Sequence, residues 1–164
     1  MSRVEKCTLT NMCMIQKGNQ VLVQNRLNPN WPGIVFPGGH VEEAESLVDS
    51  VIREIKEETG LTLHSVTLCG VKQFYMADKQ TRYLVFLYRS DDFSGELQSS
   101  NEGEVYWLDR DELEKQTLAH GFDTMIPIFE NPNLSENFHQ KIDGKWQEGV
   151  SYHHLTLPTK ACGV

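Results

Sequence analysis

Residues 39–61 read GHVEEAESLVDSVIREIKEETGL, and this stretch decides the fold. Ala44, Leu47, Val48, Val51, Ile52 and Ile55 recur at three- and four-residue spacing, the period of one stripe on an amphipathic helix. Ser46 with Asp49 three residues on is a variant capping box, and Gly60 directly after Thr59 is a C-terminal stop. Together they predict a helix from Ser46 to Thr59. At about 100° per residue, Glu54, Glu57 and Glu58 project within one sector roughly 100° wide beside the apolar stripe, with Glu58 nearest its edge. Like charges at these spacings repel by about 0.2–0.5 kcal/mol per pair, and the helix dipole adds a further penalty near the C-terminus. Such a run is ordinarily a solvated acidic face. Its border with the core and its place at the unfavourable helix end argue against that here. Bound divalent cations would reverse both penalties, and carboxylates that leave several waters on the ion suit Mg²⁺.

Ahead of the helix, an apolar stretch from Thr8 to Ile15 ends at Lys17-Gly18-Asn19-Gln20, a tight-turn signature, and Val21-Leu22-Val23 resumes extended structure. The chain therefore opens with a hairpin. Leu27 to Gly33 is a loop by composition, Ile34-Val35-Phe36 a short strand, and Pro37-Gly38-Gly39 a break before the helix. Beyond the helix, strands are expected at 66–75, 82–89 and 105–108, and short helices at 110–115 and 123–129. A second hairpin is expected across 138–146 around Asp143-Gly144. Strands on both sides of one strong helix, without βαβ alternation, predict an α/β (α+β) fold: a mixed sheet sandwiched by helices. Residues 1–150 are the expected domain. Ser151 to Val164 lack periodicity and read as a loosely held tail, in which His153-His154 is a solvated pair rather than a metal site.

The chain has 164 residues, 39% apolar and 23% charged, enough for one domain with a real core. Its mean hydropathy is -0.43, and no run approaches the roughly 18 apolar residues that span a bilayer. No export signal is read at residues 1–10. Cys7, Cys13, Cys69 and Cys162 form no CxxC pair, so reduced thiols in a cytoplasmic protein are expected, with Cys13 and Cys69 as small buried hydrophobes. Acidic residues outnumber Lys and Arg by 23 to 15, a net charge of -8, which argues against an electrostatic grip on DNA or RNA. The excess is local: seven acids and two bases between Glu42 and Glu58 carry -5 of it. A polyphosphate partner would need divalent cations between itself and this protein.

Gly39 is followed by Glu45 and then by Arg53-Glu54-Ile55-Lys56-Glu57-Glu58-Thr59-Gly60-Leu61. In this order the stretch resembles the Nudix box, the loop-helix-loop signature of hydrolases that cleave nucleoside diphosphates linked to another moiety. No defining position departs from it. The preceding hairpin, Phe36-Pro37-Gly38-Gly39, and the aromatic strand ending in Trp107 extend the resemblance to the MutT-like branch, up to about Phe129. What the resemblance implies is the Nudix α/β/α sandwich with a mixed β-sheet, dependence on Mg²⁺ with Mn²⁺ as a substitute, and attack by water on a phosphorus of a diphosphate linkage.

By the same resemblance, Glu57 and Glu58 are the main carboxylate ligands of the metal, and the Gly38 carbonyl is a further oxygen donor. Glu54 is another ligand or the base that deprotonates the attacking water. Arg53, four residues ahead of Glu57, holds that carboxylate in place. Glu45 braces the loop or assists a ligand, Gly39 lets backbone approach the ion, and Gly60 ends the helix. MutT-like enzymes use a loop glutamate ahead of the Trp-containing strand as ligand or base, which points to Glu102, with Glu104 as second choice. Arg26 resembles an arginine that touches substrate phosphate, and Arg82 is a further candidate for a substrate contact. Asp123 stands where the final helix should start, with two compatible roles: capping that helix and reading the base.

The box leaves the substrate's remaining part open. No proline occurs between Pro37 and Pro127, so the proline that follows the box in many ADP-ribose hydrolases is missing. The array of NADH-cleaving members is absent, and the two-arginine coenzyme A signature is incomplete, with only Arg26 in place. The proportions and the C-terminal extension resemble 8-oxo-dGTP hydrolases, which release a nucleoside monophosphate and pyrophosphate and cleanse the nucleotide pool. Two alternatives stand beside this reading: hydrolysis of a dinucleotide or sugar nucleotide, and a non-catalytic module that binds nucleotide or RNA. The intact, mutually repelling carboxylates disfavour the second. The expected partner is a small nucleotide, without stable nucleic-acid binding or membrane attachment, on a monomer or homodimer.

Overall fold

The computed structural model describes residues 3–152, with side chains through residue 147. In chain order the elements are β1 (Cys7–Lys17), β2 (Gln20–Arg26), β3 (Gly33–Val35), α1 (Leu47–Thr59), β4 (Thr62–Leu63), β5 (Thr67–Met76), β6 (Thr81–Ser90) and β7 (Phe93–Ser94). There follow β8 (Gly103–Asp109), a 3₁₀ helix (Arg110–Lys115), α2 (Ile126–Glu130), β9 (Leu134–Ile142) and β10 (Lys145–Tyr152).

The apolar run of β1 is continuous because both its faces are covered. Met12 and Met14 pack with Val21, Val23 and the α2 residues Ile126, Ile128 and Phe129. Cys13 and Ile15 face the other way, with Leu22 and the α1 residues Val51 and Ile55. Helices thus sandwich the sheet, as expected. Its order is β10-β9-β5-β6-β1-β2-β3, with β8 also paired to β2, and β4 and β7 form a separate small ladder. β1 runs parallel to β6, and β5 parallel to β9, while the β1–β2, β5–β6 and β2–β8 pairs are antiparallel, so the sheet is mixed.

The two hairpins lie where their turn residues placed them. Lys17 pairs with Gln20 across Gly18-Asn19, and Ile142 with Lys145 across Asp143-Gly144, whose φ values are 49° and 77°. α1 has the expected ends. Ser46 Oγ accepts from Asp49 N–H at 3.0 Å, and Gly60, at φ 78°, donates its N–H to the Lys56 carbonyl at 3.0 Å.

Three expectations change. The helix at 110–115 is 3₁₀, and the one expected at 123–129 is shortened to Ile126–Glu130. Residues ahead of α2 form successive tight turns, Phe122 N–H to Ala119 O and Met125 N–H to Phe122 O. Pro127 then occupies the first turn of α2, where its missing N–H costs nothing. Asp123 is therefore not the cap: Met125 holds that position without a side-chain bond, and Asp123 is exposed. Finally, Ser151 and Tyr152 pair with Glu136 and Leu134 instead of starting a tail, because β9 offers them a ladder. The rest of the expected tail, with His153-His154 and Cys162, lies outside the described residues. Cys7, Cys13 and Cys69 are free thiols, with Cys13 buried and Cys69 half-buried. No described helix is long and apolar enough to cross a membrane.

Candidate active site

The loop between β3 and α1 lies flat along β1. Cys13 N–H donates to Pro37 O at 2.9 Å, Asn11 N–H to Gly39 O at 2.8 Å, and Val41 N–H to Leu9 O at 2.9 Å. This approach leaves no room for side chains. A Cβ on Gly38 would lie 2.2 Å from the Asn11 carbonyl oxygen, and one on Gly39 would lie 2.3 Å from the Glu54 carboxyl carbon. Gly39 is thus needed to make space for Glu54 as much as to bring backbone close. Buried Asn11, a polar residue inside the apolar run of β1, ties the loop to the helix: its Oδ1 accepts from Gly39 N–H at 3.3 Å and its Nδ2 donates to Ser50 Oγ at 2.9 Å.

Arg53 gathers the acids around this loop. Its Nε and Nη2 donate to the two oxygens of Glu45 at 2.7 and 2.9 Å, Nη1 to Glu54 at 2.9 Å and to Glu57 at 3.1 Å, and Nη2 also to the His40 carbonyl at 2.9 Å. Glu45 in turn accepts from the Glu42 N–H at 2.9 Å. The Arg53 hydrogen bond, followed by that backbone bond, lowers the Glu45 pKa to about 2. Glu45 therefore braces the loop through Arg53.

Glu58, at the edge of the stripe, is buried. Its Oε2 accepts from Gly38 N–H at 3.1 Å and from Gln24 Nε2 at 3.4 Å, while Oε1 is buried with no hydrogen-bond partner among the described residues. Burial, then the neighbouring Glu102 carboxylate, pushes the Glu58 pKa up to about 8. Burial also raises that of Glu54, against the pull of Arg53, with Glu57 and Glu102 adding repulsion. Glu54, Glu58 and Glu102 thus repel one another, with Arg53 offsetting the charge only at Glu54, and Glu57 stands at the exposed rim.

An orphaned carboxylate oxygen and mutual repulsion among acids are what a hard divalent cation would relieve, so this donor set fits one. Among the described residues, no three acidic, His or Cys side chains are already arranged to hold a metal ion.

A cleft of about 740 Å³ is lined by Gly38, Gly39, Glu54, Glu102 and Arg26 together with Phe74, Tyr83 and Trp146, while Glu57 and Glu58 lie off its wall. Arg26 stacks on Trp31 with its guanidinium carbon 5.4 Å from the ring centre, and its Nε is buried without a hydrogen-bond partner among the described residues. Arg82 is not in the cleft wall; it pairs with Glu5 and donates to Gln73. Asp123 and Glu104 also lie off the cleft wall. The sequence reading missed Asn11, Gln24, Lys72 and His139. Lys72, Phe74 and Met76 alternate along β5 onto one face and could have been read as a set, but which face met the site could not.

Residues 9–129 match the NUDIX domain. The chain belongs to the Nudix family. This Nudix hydrolase is 33% identical over 109 residues to the ADP-ribose pyrophosphatase of Methanocaldococcus jannaschii, covering 65% of this chain and 64% of that one. It is 28% identical over 108 residues to the oxidized purine nucleoside triphosphate hydrolase of Danio rerio, covering 64% and 67%. The chain thus spans about two thirds of the length of these relatives. The MutT protein of Bacillus halodurans shares the fold, with a TM-score of 0.70 at 24% identity over 86% of this chain and 97% of that one. Nudix hydrolases act on phosphorus anhydrides and generally need a divalent metal. The matched region ends just before α2 does, so β9 and β10 lie beyond it.

Proposed function

We propose that this Nudix hydrolase cleaves 8-oxo-dGTP to the nucleoside monophosphate and pyrophosphate with Mg²⁺. The observation that carries the reading is the mixed lining of the cleft. Acids, an arginine and aromatic rings line one cleft, a combination that suits a polyphosphate joined to a flat base. Glu57, Glu58 and the Gly38 carbonyl would hold the cation, joined by whichever of Glu54 and Glu102 does not act as the base. When bound there, it supplies neutralisation of charge growing on the phosphoryl oxygens and acidifies a water molecule. The chain's own residues do the rest. Arg53 fixes Glu54 and Glu57, Gly38 N–H and Gln24 fix Glu58, and Arg26 contacts phosphate. The proton of the attacking water passes to Glu54 or Glu102, both in the cleft wall.

A second reading, hydrolysis of ADP-ribose, is favoured by the 33% identity to an ADP-ribose pyrophosphatase. Rates on 8-oxo-dGTP, dGTP and ADP-ribose with Mg²⁺, with products identified, separate the two. The proposal expects 8-oxo-dGTP to be cleaved fastest, releasing pyrophosphate. Equal rates on dGTP would end the claim of specificity for the oxidised base, and faster cleavage of ADP-ribose would establish the second reading.

A further inference from the structure

We propose that the β9–β10 hairpin carries base recognition in this protein, and that Trp146 is the side chain on which the base stacks. The proposal rests on the reading of the cleft as a nucleotide site. The hairpin is outside the region matched to the family, yet it is built into the sheet: β9 pairs with β5 from Val71–Glu136 to Phe74–His139. At Gly70 a Cβ would lie 2.3 Å from the Ser135 carbonyl oxygen, so β5 omits a side chain where β9 docks. Two hairpin residues, His139 and Trp146, reach the cleft wall.

Trp146 and Phe74 are perpendicular, with ring centres 5.9 Å apart at 87°, and Phe74 is stacked on Tyr83 at 5.0 Å and 14°. Lys141 Nζ lies over one face of the indole, 6.0 Å from the ring centre, which leaves the other face for a base. With these contacts made, Trp146 is still 46% exposed, in the wall of a cleft that Glu54 and Glu102 also line. An indole that served only to pin the hairpin would be buried; a partly exposed aromatic side chain in a cleft wall offers a stacking platform. Stacking on such a platform tolerates any base, so Trp146 supplies affinity for a base rather than a choice among bases.

The test uses the full chain and binding rather than turnover, by calorimetry with Mg²⁺, for 8-oxo-dGMP, dGMP, AMP and pyrophosphate. Trp146→Leu keeps apolar packing on Phe74 and removes the large ring; Trp146→Phe keeps a ring. The expected result is about a tenfold loss of affinity for the tightest-binding mononucleotide in Trp146→Leu, recovery of most of it in Trp146→Phe, and pyrophosphate affinity within about twofold throughout. A second measurement needs no weakened variant. The part of the indole emission that disappears in Trp146→Phe should be quenched by the mononucleotide and not by pyrophosphate. Unchanged mononucleotide affinity in Trp146→Leu, an equal loss for pyrophosphate, or emission indifferent to nucleotide would each overturn the proposal. Absence of hydrolysis would remove the proposed function while leaving this outcome readable.

Discussion

Arg53 and Glu45 are joined at two points, Nε to Oε1 at 2.7 Å and Nη2 to Oε2 at 2.9 Å, so the loop ahead of α1 is fastened to the middle of that helix. The same guanidinium holds Glu54 and Glu57, and only a planar fork can serve all three carboxylates together. Arg53→Lys keeps the charge and loses the fork. Hydrolysis should fall about 10–100-fold and half-maximal activity should need more Mg²⁺, as seen when partners of metal ligands are removed. Near-normal metal dependence in steady-state assays would count against the positioning role.

Glu57 is the exposed acid of the group, its side chain 58% accessible, so its replacement should spare the fold. Glu57→Gln should abolish turnover while circular dichroism and melting temperature remain close to those of the parent. A variant that retains most of its turnover would refute the ligand assignment.

Gly39→Ala places a methyl group against the Glu54 carboxylate. The crowding should displace that side chain and cost about 1–3 kcal/mol of stability. Activity should drop more steeply than stability, because Glu54 lines the cleft and is proposed as metal ligand or base. Denaturant unfolding and initial rates on one preparation would measure both.

Glu58 gives the metal-free protein a pH dependence. Its pKa is near 8 in the fold against an ordinary 4.5, so the folded state binds the proton more tightly. Its stabilising contribution is complete below pH 4.5 and disappears as pH rises through about 8. In chelator, the melting temperature should therefore fall across that interval more steeply than in Glu58→Gln. Saturating Mg²⁺ should raise it most at the alkaline end. Identical slopes for parent and variant in chelator would contradict this.

The parts of the site readable in sequence are those set by neighbours along the chain. The limits of α1 follow from Ser46, Asp49 and Gly60, and the clustering of Glu54, Glu57 and Glu58 follows from helical period. Asn11 and Gln24 escaped notice because their partners, Gly39 and Glu58, are 28 and 34 positions away and meet them only after the strands have paired. Asp123 was misplaced as a cap for a different reason. Consecutive tight turns and Pro127 set where α2 starts, and neither is visible in a polar residue's preference for helix ends. Lys72 and His139 lie on adjacent strands joined in parallel register, and nothing local announces that pairing.

β1 belongs to both hydrophobic layers, with Met12 and Met14 in one and Cys13 and Ile15 in the other. Neither layer can melt while the other keeps its side of that strand, so unfolding should be a single cooperative event. The acids of α1 and the aromatic rings of β5 and β6, although packed on different elements, would then be lost at one temperature, with no partly unfolded species able to bind metal while having forfeited the base.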